Sequence, residues 1–194
     1  QGARPTWLGL EPLVNDALLH EVLGVLDRRG SAAALIGAVA LAVHGIVRAT
    51  LDFDLLAVET ALLAGDVWAD LAASGAVVEI RRGDSEEALA GIVRISRAGA
   101  APVDVVVGKR RFLEDVLARR RPLVVRGRRV PVVAGADLVL VKVFAGGPQD
   151  LLDAELLLAG EEGDALRAEV ESRLPELPAG LRRDVEELLS RRHG

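Results

Sequence analysis

The sequence predicts an α/β (α+β) protein, a mixed twisted sheet flanked by helices that leads into a helical C-terminal region. Three observations predict it. Between residues 30 and 134, short runs of Val, Ile and Leu alternate with stretches of helical periodicity, separated by Gly- and Pro-containing turns. Beyond residue 137 the apolar spacing is helical only. Apolar residues at 51% with aromatics at 3% give 194 residues an ample aliphatic core, enough for one sizeable domain. The division falls near residue 134: residues 1–134 form an α/β core with an N-terminal helix, and residues 135–194 a helical region packed on it.

In chain order, residues 11–29 have the spacing of an amphipathic helix, with Pro12 near its first turn and Gly30 just past its end. An apolar run predicts a strand at 32–36; Gly37 ends it, and 38–44 predicts a short helix closed by Gly45. A strand follows at 51–58, then a helix at 61–73 stopped by Ser74-Gly75. Short strands are predicted at 76–80, 91–96 and 102–107, with a polar loop at 81–87. Residues 110–120 predict a helix, and 123–126 with 129–133 a hairpin around Gly127-Arg128. Asp137, a favourable N-cap residue, starts a helix at 137–145. Others follow at 149–159, 163–173 and 179–191, punctuated by Gly146-Gly147-Pro148 and by Pro175 and Pro178.

Composition narrows the function classes. No stretch approaches the ~20 uncharged apolar residues that cross a bilayer, and no basic-then-apolar leader opens the chain. The first residue is Gln and Met is absent, so this N-terminus is not expected to be the native start. Without cysteine there is no disulfide and no thiolate metal site, which fits a cytoplasmic location. Three histidines (His20, His44, His193) make a zinc hydrolase a weak reading, and His44, on an apolar helix, fits a structural role.

The most informative segment is Thr50-Leu51-Asp52-Phe53-Asp54-Leu55-Leu56. In a strand, alternate side chains share a face, so Asp52 and Asp54 point one way while Leu51, Phe53 and Leu55 point into the core. Two carboxylates that close repel, and a cation between them relieves the repulsion. A third acid, Asp104, lies in Pro-Val-Asp-Val-Val-Val with no base in its own strand. Burying it is expensive unless a metal or an Arg from elsewhere compensates. Together with Gly37, fifteen residues before Asp52, the three acids form a pattern expected of metal-dependent phosphoryl transfer.

The bases are unevenly spread. Net charge is −5, yet residues 108–129 hold nine bases against Glu114 and Asp115, a local +7 that leaves −12 for the remainder. Arg119, Arg120 and Arg121 are its densest part. Such an island is either a footprint for the phosphates of a polyanion or a solvated face. The chain uses Arg 22 times and Lys twice, so Lys142 within an apolar helix stands out: it reaches a triphosphate or snorkels to the surface. Arg48, just before the acidic strand, clamps phosphate or pairs with an Asp. Asp150 caps the helix at 149–159 or orients Lys142, capping being the preferred role. Asp153 and Glu155 read as a solvated helix face.

The segments Leu35-Ile36-Gly37-Ala38-Val39-Ala40-Leu41-Ala42-Val43-His44-Gly45 and Arg48-Ala49-Thr50-Leu51-Asp52-Phe53-Asp54 resemble the signature of minimal nucleotidyltransferases of the polymerase-beta-like superfamily. Ala90–Ile95, Val103–Gly108 and Lys142–Asp150 extend the resemblance over about residues 30–158, and the last of these points to the AbiEii-type branch found in toxin–antitoxin systems. The resemblance implies a nucleotidyltransferase core in which Asp52, Asp54 and Asp104 are catalytic and bind Mg²⁺ or Mn²⁺, two ions being expected. It also implies that the backbone N–H groups at Gly37 and Ala38 hold the NTP, with Arg48 and Lys142 as further nucleotide-binding residues and Asp150 in support. Ala38 departs from the Gly or Ser common at its position, which removes a hydroxyl and keeps the backbone donor.

The function so implied is transfer of an NMP from an NTP to an acceptor hydroxyl. The leading acceptor is RNA, a tRNA 3′ end included, with the protein as the toxin restrained by an antitoxin partner. Alternatives are transfer to an aminoglycoside-like small molecule, transfer to a protein, and a non-catalytic partner-binding module of the same fold.

Overall fold

The computed structural model describes residues 15–48, 52–84, 88–125 and 128–191. The described residues hold eight α-helices and a seven-stranded mixed sheet, the expected fold class. By contact the chain groups into two units, each discontinuous in sequence: residues 1–33 with 49–109, and residues 34–48 with 110–194.

In the first unit the strands order as β3 (Val77–Arg82), β4 (Leu89–Ser96), β5 (Val103–Gly108) and β2 (Phe53–Ala57). β3·β4 and β4·β5 are antiparallel, whereas β5·β2 is parallel. Alternation works as the residues dictate: Phe53 and Leu55, Val93 and Ile95, and Val103, Val105 and Val107 are buried, and the residues between them face the other side. Helix α1 (Ala17–Arg28) buries Leu18, Leu19, Val22 and Leu26 and packs against β5. Residues 11–14 of the helix expected at 11–29 lie outside the described residues.

The helix expected at 61–73 is instead two 3₁₀ turns, Thr60–Leu63 and Gly65–Trp68, and a short helix α3 (Ala69–Ala73). Trp68 is the reason. Its ring is fully buried and its Nε1–H donates to the carbonyl of Leu62 at 2.8 Å, which folds the segment back on itself. The strands expected at 76–80 and 91–96 are longer, because the ladder continues to the pair Arg82↔Gly91 despite the polar side chains of β3. Gly91 is required there by space: a Cβ would lie 2.3 Å from the carbonyl oxygen of Arg81 and 2.9 Å from Leu63.

The second unit contains most of β1 (Ala33–Leu35), paired in parallel with β7 (Arg128–Val132), and the hairpin of β7 with β6 (Arg121–Val125). The hairpin turn was expected around Gly127-Arg128; residues 126 and 127 lie outside the described residues, and Arg128 is the first residue of β7. Helix α2 (Gly37–Val43) follows β1, and α4 (Arg111–Ala118) precedes β6. The centre of this unit is α5 (Gly135–Ala145), apolar on nearly every side and packed against α6 (Pro148–Ala159), α7 (Gly163–Arg173) and α8 (Ala179–Ser190). Phe144 of α5 meets Phe112 of α4 edge to face, ring centres 4.9 Å apart.

Asp137 is not the N-cap of α5. The helix starts two residues earlier, and Asp137 lies in its first turn with no exposed surface. Arg119 donates to both its oxygens, Nη2 at 2.8 Å and Nε at 3.1 and 3.2 Å, and Arg173 ion-pairs with Oδ1 at 2.5 Å. Hydrogen bonding to Asp137 raises the Arg119 pKa over the opposing effect of burial. Asp137→Asn removes the buried carboxylate shared by Arg119 and Arg173, leaving Arg173 with Glu169, and should cost about 3 kcal/mol. Urea unfolding measures this, and a loss below about 1 kcal/mol would show that the pair is dispensable.

Candidate active site

The acids and one base of the first unit converge through strand register. Asp54 on β2 is the Cα partner of Asp104 on β5, and Asp104 is in turn the Cα partner of Arg94 on β4. Residues opposite one another across a ladder project to the same face, so Arg94, Asp104 and Asp54 form a row across three strands. Asp52 lies one residue before the start of β2, not within it. It joins the row through Arg94, whose Nη1 donates to Asp104 Oδ2 at 2.7 Å and whose Nη2 donates to Asp52 Oδ2 at 3.0 Å.

The electrostatics follow from this row. Asp104 is more enclosed than the two groups it shares charge with, its side chain 19% exposed against 34% for Asp52 and 41% for Arg94. Burial pushes the Asp104 carboxyl above its usual pKa, Arg94 pulls it back, and the like charge of Asp52 pushes it up again. The hydrogen bond to Asp52, then the charge of Asp104, raise Arg94. Asp104 thus finds the Arg from elsewhere that a buried acid requires, one strand away.

A hard divalent cation suits these donors, which are all carboxylate oxygens. Oδ1 of Asp104 is buried with no hydrogen-bond partner among the described residues, a vacant ligand oxygen on an acid more shielded from water than Asp52. Among the described residues no group of three or more Asp, Glu or His side chains is already arranged as a metal cage. In this structure Arg94 supplies the positive charge to Asp52 and Asp104.

The remaining predicted residues lie in the second unit. Gly37 opens α2 in the left-handed region, φ +52°, a conformation that a side chain disfavours, and Ala38 follows it within the helix. Lys142 on α5 pairs with Asp150 at 2.8 Å and with Asp153 at 2.9 Å, both on α6. Arg48 ion-pairs with Asp153, and Gln149 donates to the same oxygen at 3.1 Å. Of the two roles weighed for Arg48, pairing with an Asp is the one observed. Asp150 engages Lys142, while α6 is entered through Gly147 and Pro148, where Pro at the first helical position is favoured.

Asp153 is a correction. It is 2% exposed, not solvated, and receives Lys142, Arg48 and Gln149. Burial opposes its charge, but those hydrogen bonds win and hold its pKa below the usual carboxylate value. Burial likewise lowers Lys142, and Asp150 and Asp153 more than restore it. The sequence signal was available: on a helix, Asp153 stands three residues after Asp150, on the same face. Arg94 carried no comparable signal, since only the register with Asp104 distinguishes it from the other arginines.

The basic island is only partly a free surface. Arg119 is committed to Asp137, and Arg120 Nη1 donates to the carbonyl of Leu117 at 2.7 Å. Arg121 on β6 and Arg128 and Arg129 on β7 are exposed.

Against solved structures, the chain is similar to the antibiotic-resistance factor ANT(2″)-Ia, with a TM-score of 0.51 and 16% identity over 88% of this chain and 96% of that one. It also matches the lincosamide antibiotic adenylyltransferase LnuA (TM-score 0.47, 14% identity, 75% and 98% coverage). A third match is an antigenic nucleotidyltransferase-like protein from Paracoccidioides brasiliensis (TM-score 0.47, 12% identity, 91% and 88% coverage). No protein-family model and no curated protein sequence matches. The first of these matches establishes that the chain has a nucleotidyltransferase fold. Among the described residues no helix is long and apolar enough to cross a membrane.

The Lys142–Asp153 pairing makes a pH-resolved prediction. Because the folded pKa of Asp153 is depressed, its ionised form adds stability that is present above the unfolded value and lost as pH falls through the folded one. Asp153→Asn should therefore cost about 3 kcal/mol at pH 7, and the difference from wild type should shrink as acid protonates Asp153. Denaturant titrations at neutral and acidic pH test this; a pH-independent difference would refute it.

Proposed function

We propose that the chain is a metal-dependent nucleotidyltransferase that moves an NMP from an NTP to an acceptor hydroxyl. The observation that carries this reading is the row of Asp54, Asp104 and Arg94, with Asp52 on the same guanidinium, in a chain of nucleotidyltransferase fold. Asp52, Asp54 and Asp104 would hold Mg²⁺ or Mn²⁺, two ions, whose chemistry is to neutralise charge on the attacking and leaving oxygens of an in-line displacement.

The residues of the chain supply the rest. Asp104, its pKa raised by burial and its Oδ1 without a partner among the described residues, suits the acceptance of the proton from the acceptor hydroxyl. The freed oxygen bonds to the α-phosphorus as pyrophosphate leaves. Gly37 and Ala38 offer backbone N–H donors to the triphosphate. Lys142 and Arg48 are cations already ordered by Asp150 and Asp153, so a phosphate can exchange with a carboxylate on a preformed ammonium or guanidinium.

RNA is the acceptor we favour, with the protein acting as a toxin whose antitoxin partner restrains it. Exposed Arg121, Arg128 and Arg129 on the β6–β7 hairpin support this, since such bases contact phosphates away from the chemistry. A second reading takes a small cationic compound as acceptor. It is favoured by the charge of −12 outside residues 108–129 and by the antibiotic-acting proteins among the fold neighbours.

Incubation with each α-labelled NTP, Mg²⁺ and, separately, total RNA, protein or aminoglycosides distinguishes the acceptors; no transfer to any of them favours a non-catalytic module. Asp52→Asn, Asp54→Asn and Asp104→Asn should each reduce transfer by roughly a thousandfold, and full activity in any of them ends the reading. Replacing Arg121, Arg128 and Arg129 together by Ala should lower the log–log salt slope of RNA binding by roughly 0.7 per lost contact. An unchanged slope with unchanged turnover on RNA moves the small-molecule reading ahead.

A further inference from the structure

We infer that Arg94 is a built-in counter-cation of the acid row, which a divalent ion must displace, so that this residue sets the metal affinity of the site. The inference rests on the reading of Asp52, Asp54 and Asp104 as the metal-binding acids. Three observations carry it. Arg94 spends its two terminal nitrogens on two different carboxylates, Asp104 and Asp52, rather than forking onto one. The Cα register Arg94↔Asp104↔Asp54 builds that bridge into the sheet rather than into a loop. The oxygens it engages, Oδ2 of Asp104 and Oδ2 of Asp52, are oxygens a shared cation would take, while Oδ1 of Asp104 is left buried and without a partner among the described residues.

The competition is electrostatic. Asp52 and Asp104 are like charges that share one guanidinium. A guanidinium and a divalent ion repel strongly at contact distance, and both cannot stay on the same oxygens. With the ion absent, Arg94 relieves the repulsion among the carboxylates and keeps the unit folded. With the ion present, the guanidinium is released from Asp52 and Asp104. Arg94 is thus a positioning residue, acting on the reaction through the acids.

The test uses the whole chain with Mn²⁺ as the probe. Titration calorimetry compares wild type, Arg94→Gln, Arg94→Lys and Asp104→Asn, and each is melted with and without Mn²⁺. Arg94→Gln should bind Mn²⁺ roughly tenfold more tightly than wild type. It should melt lower than wild type without metal and recover in excess Mn²⁺, with Arg94→Lys in between. In the unsubstituted protein, Mn²⁺ should speed modification of Arg94 by phenylglyoxal, read by peptide mass spectrometry, which keeps the test valid if a variant fails to fold. Equal or weaker Mn²⁺ binding by Arg94→Gln, in a protein whose Mn²⁺ binding Asp104→Asn abolishes, overturns the role of Arg94 and leaves the metal-binding acids standing. Unchanged labelling with Mn²⁺ bound overturns it likewise. Absence of Mn²⁺ binding in both wild type and Arg94→Gln overturns the metal reading itself, and this inference with it.

Discussion

Holding carboxylates side by side on one face of a sheet whose other face is dry is the constraint on which the first unit turns. Phe53, Leu55, Val103, Val105, Val93 and Ile95 bury one face of three neighbouring strands. The same alternation that buries them forces Asp54, Asp104 and Arg94 onto the opposite face in register. A sheet cannot move one of these side chains to its other face without a register slip that would expose the core. The face on which Asp54, Asp104 and Arg94 stand is therefore fixed by the aliphatic core behind it. The row's internal repulsion is met from within the sheet, by a guanidinium one strand away.

The second unit solves a related problem with helices. α5 is so apolar that nearly all of its surface must be covered, and three helices pack around it. Its two charged residues are consequently buried or nearly so, and each is neutralised from a neighbouring element. Asp137 is met by Arg119 and Arg173, and Lys142 by Asp150 and Asp153, with Arg48 closing the cluster. The two clusters differ in kind. That around Asp137 consists of a sealed acid between two arginines, with the geometry of a structural tie. That around Lys142 keeps two cations on partly exposed stems, ordered but within reach of solvent.

The basic island shows why charge in a sequence is not charge on a surface. Its formal +7 treats every arginine alike. Arg119 is spent on Asp137, whereas Arg120 on the helix end and Arg121, Arg128 and Arg129 on the strand pair stay exposed, so the formal charge overstates what a polyanion meets. Arg119 stands between Asp137 and Glu176, so its charge is committed within the protein.

Much of the fold and part of the site could be read from local pattern, because alternation and helical periodicity are properties of neighbours in sequence. The strand carrying Asp54, the strand carrying Asp104, the hairpin at the basic island and the helical last third all follow from such patterns. Local pattern also marked the three acids as costly and in need of a counter-charge. It could not say which counter-charge, because Arg94 meets Asp104 only through strand pairing, ten residues away in sequence and opposite in register. Nor could it say that Asp153 is buried or that Asp137 lies inside its helix, since burial of those faces depends on elements brought from elsewhere in the chain. The sequence alone determined where strands and helices form and which acids need a cation. Tertiary structure decided the partners, because an ion pair depends on distance in space, and distance in space is set by packing.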